Sequence, residues 1–441
     1  MRNGAGIRAG VSLLLVMGAC TSGQATGSAS AAGSPSPTRE PAATVPDTAL
    51  CEAIHHVACY RPAQMQTAYD LTSLHRRLLD GTGITIAIVV SFGSPTIEAD
   101  LHRFDSDFGL RDPTLTIIHP AGPIPAFTPS ETRMGWARET SLDVEWAHAF
   151  APGANILLVE TPVAETLGVR GFPEIVKSER YVIEHHLADV ISQSFGAPED
   201  TFPNPEAIMR LRGVYGEAAA AGVTVLAGTG DAGASGDATP HSYYQHRTVF
   251  WPASDPLVTA VGGTDVHLDL SGVRTSPDTV MNQSEDHLFA SGGGTSRIFP
   301  RPSYQDGVQA EVGTARGIPD IALSAGGEDD AVLVYSSYAG ERSEYYIDGG
   351  TSAATPEFAG IVAIADQVAG HDLGQLNPLL YALAAHNGPG LVDVTLGTNT
   401  AAWRTHGKQH KVIGWAAGPG YDLASGLGTV DAADLVQELA G

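Results

Sequence analysis

The alternation of apolar strands with helical segments constrains the fold of this 441-residue chain more than any other feature. Short apolar runs without clean polar alternation are typical of strands buried on both faces. The predicted order is strand 84–90, helix 96–108, strand 155–160, helix 173–187, strand 189–195, helix 205–221 and strand 223–227. Strands separated by helices run parallel, so we predict an α/β fold with a parallel sheet flanked by helices on both faces.

The amino terminus has the pattern of an export signal. Two arginines precede the short apolar run 11–20, and no apolar run reaches the roughly 18 residues needed to span a bilayer. The run ends in Met17-Gly18-Ala19-Cys20, which is similar to a bacterial lipobox although leucine is usual where Met17 stands. We expect lipidation at Cys20, with ordinary signal cleavage as the alternative. Either outcome places the protein outside the cell or at its surface.

The chain then divides into a tether and one large domain. Residues 21–50 are rich in small residues and proline, a composition that builds no core and suits a flexible tether. After the 1–20 signal and this tether, we predict a single domain with long loops over 51–441, since no second linker follows. With Cys20 lipidated, Cys51 and Cys59 are the pair left for a disulfide in an oxidising compartment.

One predicted helix, in GWARETSLDVEWAHAFAPGA, carries two carboxylates on its apolar face. Trp136, Glu139, Asp143 and Trp146 recur at helical spacing, and the two acids are one turn apart. Desolvation and like charge raise at least one pKa of such a pair, which can then move protons. The alternative is that both acids lie on a solvent-exposed face of the helix. The tryptophans on the same face argue against this alternative. The other polar residues point elsewhere and are expected at solvated or edge positions: Arg138, Glu145 and His148.

A glycine pair followed by a serine and a helix marks the segment GGTSAATP at 349–356. A tight turn at a helix start would hold Ser352 where unsatisfied N–H groups favour negative charge, as a nucleophile requires. A short Gly-Thr-Ser more often provides only a helix cap. The longer pattern GTSxxxPxxAG is more specific, and it resembles the nucleophile motif shared by subtilisins and by the sedolisins, or serine-carboxyl peptidases.

A third segment places an aspartate beyond the end of a strand. Strand 223–227 runs into the glycine-rich loop that contains Asp231. Sites in open α/β sheets form beyond the carboxyl ends of strands, although an aspartate among glycines more often forms an Asx-turn. The loop GTGDAGA resembles the sedolisin SGDxGA loop, with Thr229 in place of the usual serine. The aspartate of that loop stands where subtilisins use asparagine to bind the oxyanion.

The remaining motifs favour the sedolisins over the subtilisins. The aspartate and the HGTH-like histidine segment of a subtilisin are missing, and ETSLDVEWAHAF stands in place of the histidine helix. The blocks SGGGTSRIFPRPSYQ at 291–305 and GIPDI at 317–321 also resemble sedolisin segments. The resemblance covers most of the domain and implies a subtilisin-like fold. It assigns Ser352 as nucleophile, Glu139 as general base, Asp143 as the acid that orients it and Asp231 as the oxyanion donor.

These roles imply hydrolysis of peptide bonds at acidic pH. Ionised Glu139 accepts the Ser352 proton during attack and returns it to the leaving amine. Asp231 must be protonated to donate to the oxyanion, and the coupled carboxyls titrate as a set. Several sedolisins place a glutamate where the first strand here ends in Val90, so we expect a less extreme acidic optimum. Endopeptidase and tripeptidyl cleavage both remain open.

The resemblance also implies one structural Ca²⁺ near the carboxyl terminus. Calcium takes carboxylate and carbonyl oxygens in flexible geometry, and a Gly-Pro-Gly turn can present two carbonyls beside an aspartate. The match gives carboxylates from Asp393 and Asp422, and carbonyl oxygens from Val394, Gly418 and Gly420. Aspartates that only cap turns are the plain alternative.

Composition and missing motifs narrow the rival functions. A formal charge of −25, from 49 acidic and 24 basic residues, argues against nucleic-acid binding. We expect a monomer with a polypeptide substrate. A surface-tethered protein that binds peptides or a partner without turnover is the main alternative, although it has no need for all four catalytic residues. An esterase G-x-S-x-G is missing at Ser352, and none of the 16 histidines lies in an HExxH pattern.

Overall fold

The computed structural model describes residues 45–284, 288–327, 330–338 and 344–441. The predicted signal, Cys20 and most of the predicted tether lie outside these ranges. The helices are α1 (Thr48–His55), α2 (Pro62–Ala68), α3 (Leu71–His75), α4 (Ile97–Phe108), α5 (Glu131–Phe150), α6 (Phe172–Glu184), α7 (Pro205–Leu211), α8 (Gly213–Ala221), α9 (Gln309–Val312), α10 (Thr351–Ala369), α11 (Asn377–Ala385) and α12 (Ala432–Leu439). The strands are β1 (Ala58–Tyr60), β2 (Thr85–Ser91), β3 (Leu115–Ile118), β4 (Asn155–Thr161), β5 (Val190–Gln193), β6 (Ala197–Pro198), β7 (Thr224–Gly228), β8 (Asp237–Thr239), β9 (Ser242–Tyr243), β10 (Phe250–Trp251), β11 (Thr259–Asp265), β12 (Thr279–Val280), β13 (Gly294–Pro300), β14 (Ala315–Ile318), β15 (Ile321–Ser324), β16 (Asp330–Ser336), β17 (Glu344–Asp348), β18 (Leu391–Val392), β19 (Ala401–Thr405), β20 (Lys408–Val412) and β21 (Thr429–Val430).

The largest sheet has eight strands. Seven follow the order β12-β11-β7-β5-β2-β4-β3, and β15 also pairs with β11. Every pairing in this sheet is parallel except that between β12 and β11. β2 is paired with β4 over its whole length, from Thr85 opposite Asn155 to Ser91 opposite Thr161. The predicted parallel α/β fold is therefore confirmed.

Side chains of β2 alternate between two hydrophobic cores, because successive residues of a strand point to opposite faces. Ile86, Ile88 and Val90 pack in a core shared with α5, α10 and α12. Ala87 and Val89 pack in a second core shared with α6, α7 and α8. Burial of each branched side chain contributes about 1.5–3 kcal/mol, so a strand apolar on both faces is stabilised only between two helical layers.

The central strand β2 lies at a topological switch point. From β2 the sheet extends through β4 and β3 on one side and through β5, β7 and β11 on the other. Sites in open α/β sheets form in the crevice beyond the carboxyl ends of strands at such a point. Only a short loop joins α5 to β4, so α5 runs antiparallel to β4 and its first turns lie at this edge. α10 packs against α5 and brings the predicted nucleophile segment to the same place.

Two details differ from the sequence-based boundaries. α1 begins at Thr48, inside the segment predicted as tether, and the Thr48 hydroxyl donates to the Cys59 carbonyl at 2.8 Å. The segment 205–221, predicted as one helix, is divided into α7 and α8 at Arg212, whose guanidinium donates twice to the carboxylate of Asp255. The predicted disulfide between Cys51 and Cys59 is present. In the described ranges, no helix combines the length and hydropathy needed to cross a membrane.

Candidate active site

Ser352 lies in the first turn of α10, directly after a glycine turn. Gly350 has a φ of 78°, and a Cβ at this position would lie 2.6 Å from Oδ2 of Asp231, so only glycine fits. Pro356 lacks an N–H, so the carbonyl of Ser352 four residues earlier has no helical donor. The Ser194 hydroxyl donates to that carbonyl at 3.2 Å. The glycine turn and the hydrogen bond from Ser194 together fix the backbone of Ser352.

The structure brings all four predicted catalytic residues to this edge of the sheet. Glu139 and Asp143 lie one turn apart in α5; Glu139 is partly exposed and Asp143 is buried. The Ser352 side chain interacts with the Glu139 carboxylate and lowers its pKa. The backbone N–H of Thr351, beside the serine, donates to Oδ1 of Asp231 at 2.8 Å. A hydroxyl, a carboxylate that can accept its proton and a second acid are thus adjacent.

Burial makes the carboxylate pair hold its protons tightly. Desolvation is the largest cause that raises the pKa of Glu139, and repulsion by Asp143 raises it further, while the Ser352 side chain lowers it. Desolvation also raises the pKa of Asp143, while the Ser194 side chain lowers it. One oxygen of each acid has no hydrogen-bond partner in the described part of the chain. The pair therefore titrates jointly, and its protons have macroscopic pKa values that belong to the set.

Asp231 has the properties of a neutral acid near the nucleophile. Burial raises its pKa to about 6, although hydrogen bonds from the Thr351 backbone and side chain oppose that rise. Its Oδ2, beside Gly350, is buried and has no hydrogen-bond partner among the described residues. At acidic pH this oxygen can carry a proton and donate it toward charge that develops next to Ser352.

Two further residues of the site were missed by the sequence analysis. Asp348 ends β17 four residues before Ser352, is buried, and raises the pKa of both Glu139 and Asp143 by repulsion. Ser194 follows β5, its hydroxyl donates to the Ser352 carbonyl, and its side chain lowers the pKa of Asp143. An acid in the otherwise apolar segment YYID, next to the glycine pair, was the available signal for Asp348.

The expectation for Glu145 and His148 was wrong, because both side chains are fully buried. α5 is enclosed by α4, α10, β2 and β16, so it has no solvated face over this stretch. Glu145 accepts the backbone N–H of Tyr335 at 2.9 Å, and His148 lies 3.3 Å from a carboxylate oxygen of Asp105. Arg138 is half-buried, with its guanidinium over the ring of Tyr346.

The glycine-rich block at 291–294 forms a wall of the site. The N–H of Gly292 donates to the carbonyl of Gly230 at 2.7 Å, and a Cβ on Gly292 would lie 2.0 Å from the carbonyl oxygen of Thr229. The absence of a side chain thus allows this block to lie directly against the loop that carries Asp231.

An acid also lies beside the end of β2. Glu160 of β4 is paired with Val90 in the sheet and is largely buried. Its carboxylate contacts the imidazole of His119 at 2.8 Å. Desolvation raises the pKa of Glu160, while His119 and Arg133 lower it. An acid is therefore present on the neighbouring strand, next to the position where several sedolisins have their extra glutamate.

The residues predicted to bind calcium lie together on two neighbouring loops. The carboxylate of Asp393 accepts the N–H of Gly420 at 2.9 Å, and that of Asp422 accepts the N–H of Gly418 at 2.9 Å. The Ser425 hydroxyl lies 3.4 Å from the Val394 carbonyl oxygen and 3.1 Å from a carboxylate oxygen of Asp422, so it links the two loops. The described residues contain no cluster of three or more His, Cys, Asp or Glu that would suit a metal. Backbone carbonyls would have to complete a site built on these two aspartates.

Comparison with known proteins identifies relatives of the chain. A family model described as the Subtilase family matches residues 132–378. The chain is 34% identical over 386 residues to kumamolisin from Bacillus sp. (strain MN-32), a match that covers 86% of this chain and 63% of that protein. It is 33% identical over 321 residues to tripeptidyl-peptidase 1 from Homo sapiens, covering 68% of this chain and 51% of that protein. The chain thus spans between half and two thirds of these relatives.

A solved structure shows the same fold. Pseudomonas sedolisin, a serine-carboxyl proteinase in complex with two molecules of pseudo-iodotyrostatin, matches with a TM-score of 0.71 and 27% sequence identity. The match covers 86% of this chain and 97% of that one. The predicted subtilisin-like fold is therefore confirmed, and the segment that carries the four clustered side chains lies within the matched family region.

Proposed function

Because this chain belongs to the subtilase family, and within it to the sedolisins, we propose that it is a serine-carboxyl peptidase that hydrolyses polypeptides at acidic pH. The observation that carries this proposal is the interaction of the Ser352 side chain with the Glu139 carboxylate, whose pKa it lowers. It sits in a cluster with the buried acids Asp143 and Asp231. A nucleophile in contact with a base, and a base beside an orienting group, is the arrangement needed for acyl transfer.

In the proposed reaction, Glu139 acts as general base and then as general acid. Its carboxylate takes the Ser352 proton as the serine oxygen bonds to the carbonyl carbon of the substrate. The same proton passes to the leaving amine when the peptide C–N bond breaks, and water repeats the sequence on the acyl-enzyme. Asp143 is buried beside Glu139 and shares its proton equilibrium, so removal of Asp143 would change the pH at which Glu139 is ionised.

Asp231 provides the proposed oxyanion donor. A carboxylate there would repel the negative oxygen, whereas the neutral acid donates a hydrogen bond to it. A pKa of about 6 keeps Asp231 largely protonated below that pH. The alkaline limit of activity is therefore expected near pH 6, while the acidic limit reports ionisation of the Glu139–Asp143 pair.

The experiment that tests this function is digestion of a peptide library by the purified protein from pH 3 to 7, read by mass spectrometry. We expect cleavage with an acidic optimum, and the cut sites distinguish endopeptidase from tripeptidyl cleavage. Ser352→Ala and Glu139→Ala should lose turnover. Cleavage by either variant at the wild-type rate would refute the assignment, and peptide binding without cleavage by the wild type would support a silent binding protein instead.

We also propose a structural Ca²⁺ at Asp393 and Asp422. The two carboxylates and the carbonyls of the 418–422 loop are hard oxygen donors of the kind calcium takes, and they belong to loops that already contact each other. A bound ion stabilises the folded state by mass action. Treatment with a strong chelator should lower the melting temperature and added Ca²⁺ should restore it, while Asp422→Asn should abolish the response. An unchanged melting curve would exclude the ion.

Export and lipid attachment complete the proposal. The arginines, the apolar run and Cys20 at the amino terminus support a lipid anchor followed by a tether of about thirty residues, which would hold the peptidase at the cell surface. Mass spectrometry of the mature amino terminus should find diacylated Cys20. An unmodified residue other than Cys20 at the mature amino terminus would remove the anchor.

A further inference from the structure

A pocket of about 390 Å³ opens at the carboxyl ends of β2 and β4. Phe92 directly follows β2, Pro162 and Val163 directly follow β4, and the first turns of α5 contribute Arg133. Arg170, which precedes α6, also lines it. The pocket therefore lies on the same edge of the sheet as the candidate active site.

Strand order gives the separation between pocket and nucleophile. Ser352 lies near the ends of β5 and β7, because Ser194 contacts it and the N–H of Gly230 donates to the neighbouring Thr351 hydroxyl. The sheet order there is β7-β5-β2-β4, and adjacent strands are about 4.8 Å apart. The pocket is thus about 10 Å from the serine, a distance that an extended peptide covers in about three residues.

Two guanidinium groups give the pocket positive charge. Arg133 lies over the ring of Phe92 at 4.2 Å and donates to the Pro125 carbonyl at 2.7 Å, so its position is fixed. Arg170 is exposed, and its guanidinium has no hydrogen-bond or ion-pair partner in the described part of the chain. None of the described lining residues is acidic. In a protein with a net charge of −25, two cations on one small pocket are a local exception.

The acids nearest the pocket do not cancel this charge at acidic pH. Glu160 interacts electrostatically with Arg133, and its carboxylate also pairs with the imidazole of His119, with 2.8 Å between oxygen and nitrogen. Glu165, next to the lining residue Ala164, is buried, and burial raises its pKa to about 8. Glu165 is thus neutral in the proposed working range. Glu174, four residues after Arg170 in the first turn of α6, forms no ion pair with Arg170 in the described part of the chain.

Phe92 is held in a strained backbone conformation that the surroundings determine. Its φ of 67° lies in the left-handed region, which bulky residues rarely adopt. The N–H of Phe92 donates to the Thr161 carbonyl at 2.9 Å, and the guanidinium of Arg133 covers its ring. Strain of this kind persists where the local structure is over-determined, typically at binding sites. The lining residue Phe92 is therefore held in place by contacts within the protein.

We propose that this pocket is a substrate subsite that binds an acidic side chain, Asp or Glu, about three residues from the scissile bond. The inference rests on the proposed peptidase function and adds a preference to it. Arg170 provides the accessible charge for the substrate carboxylate, and Phe92 with Pro162 and Val163 contacts its methylene groups.

The test compares matched peptides that carry Glu, Gln or Lys at each position around a common cleavage site. At about pH 5.5, where a glutamate of pKa about 4.3 is ionised, kcat/KM should be about tenfold higher for Glu than for Gln at one position. The ratio should fall toward one near pH 3. Arg170→Gln should remove the preference and Arg170→Glu should transfer it to Lys, whereas the exposed Arg76→Gln should change nothing. Equal cleavage of the Glu and Gln peptides by the wild type would overturn the subsite, with the peptidase function intact.

Binding separates failure of the subsite from failure of the peptidase function. Fluorescence anisotropy with the Ser352→Ala protein and the same peptides needs no turnover. The Glu peptide should bind about tenfold more tightly than the Gln peptide, and Arg170→Gln in this background should equalise them. Equal affinities would refute the subsite. Tighter binding of the Glu peptide, together with a wild type that never cleaves, would keep the subsite and reject the peptidase.

Discussion

Two groups of carboxylates in the protein interior differ in whether a cation and hydrogen-bond donors balance their charge. Asp320 is fully buried and accepts hydrogen bonds from both terminal nitrogens of the buried Arg316, from the Tyr381 hydroxyl at 2.9 Å and from the Ala260 N–H at 2.8 Å. Its charge is balanced and both its oxygens are occupied. This cluster holds the turn that leads into β15 against β11.

The candidate catalytic cluster has the opposite arrangement. Asp143 and Asp231 are buried and Glu139 is partly buried next to Asp348, and each of the first three retains an oxygen without a hydrogen-bond partner in the described part of the chain. Desolvation without a balancing cation raises pKa values. Paired charge in the first cluster therefore stabilises the fold, whereas the acids of the second cluster have raised pKa values, which suit the proton transfer that we propose for them.

The largest effect should come from breaking the balanced cluster. Asp320→Asn leaves the buried Arg316 charge without its partner, and we expect the free energy of unfolding to fall by about 3–5 kcal/mol. Urea denaturation measures this, with Asp306→Asn as the control, since Asp306 pairs with Arg301 at the surface. Glu139→Gln should leave stability unchanged or higher. A similar loss of stability in both variants would erase the contrast between the clusters.

Substitution of Asp231 should affect the reaction nearly as strongly. Asp231→Ala removes the oxyanion donor, and kcat should fall by about 100- to 1000-fold. Asp231→Asn retains a donor that does not titrate, so it should keep more activity and lose the alkaline limb that we expect of the wild type near pH 6. Profiles of kcat from pH 3 to 8 measure both. An Asn variant with the wild-type alkaline limb would show that another group causes it.

A smaller effect is expected on the pH dependence of stability. Glu179 in α6 is buried with no partner for either oxygen among the described residues, and burial raises its pKa to about 8. Such an acid is neutral in the folded protein while it is ionised in the unfolded chain, so stability is full below about pH 4 and falls as pH rises toward 8.

Glu179→Gln should therefore flatten this fall. Thermal melts should show the wild-type Tm decreasing from pH 4 to 8, and at pH 7.5 the variant should melt roughly 3 °C higher, equivalent to about 1 kcal/mol. Glu184→Gln, at the exposed end of the same helix, is the matched control. A wild-type Tm that rises over this range would contradict the direction of the raised pKa values.

The smallest effect should follow removal of charge at Asp348. Its carboxylate raises the pKa of Glu139 and Asp143, so Asp348→Asn should move the acidic limb of kcat/KM to lower pH by roughly half a unit. The amide can still accept the Gly349 N–H, which the aspartate accepts at 2.9 Å. A limb that moves to higher pH would mean that Asp348 acts through the backbone of the turn.

Local patterns were sufficient to predict which side chains cluster at the candidate active site. The glycine turn before Ser352, the strand that ends before Asp231 and the one-turn spacing of Glu139 and Asp143 are all properties of short segments. Each segment lies at the carboxyl edge of the sheet because parallel strands share one orientation, so the four residues converge. The roles assigned to them stay predictions until tested.

Features that depend on distant contacts could not be predicted. Glu145 and His148 are buried because β16 and α4, far along the chain in both directions, cover α5. Asp348 reaches the site because β17 pairs with β16 in a separate small sheet, which the alternation of strands and helices does not reveal. The subsite around Arg170 likewise depends on the order β5-β2-β4, and strand order is a property of the whole sheet.

The claim that a carboxylate has replaced imidazole in activating the serine is tested most directly by acylation of Ser352 in a single turnover. Acid-quenched mixtures at pH 4, digested and analysed by mass spectrometry, give the rate at which the substrate's acyl group appears on the serine. We predict that Glu139→Gln slows this rate by about 100- to 10,000-fold while peptide binding persists. Acylation of Ser352 in Glu139→Gln at the wild-type rate would contradict the account.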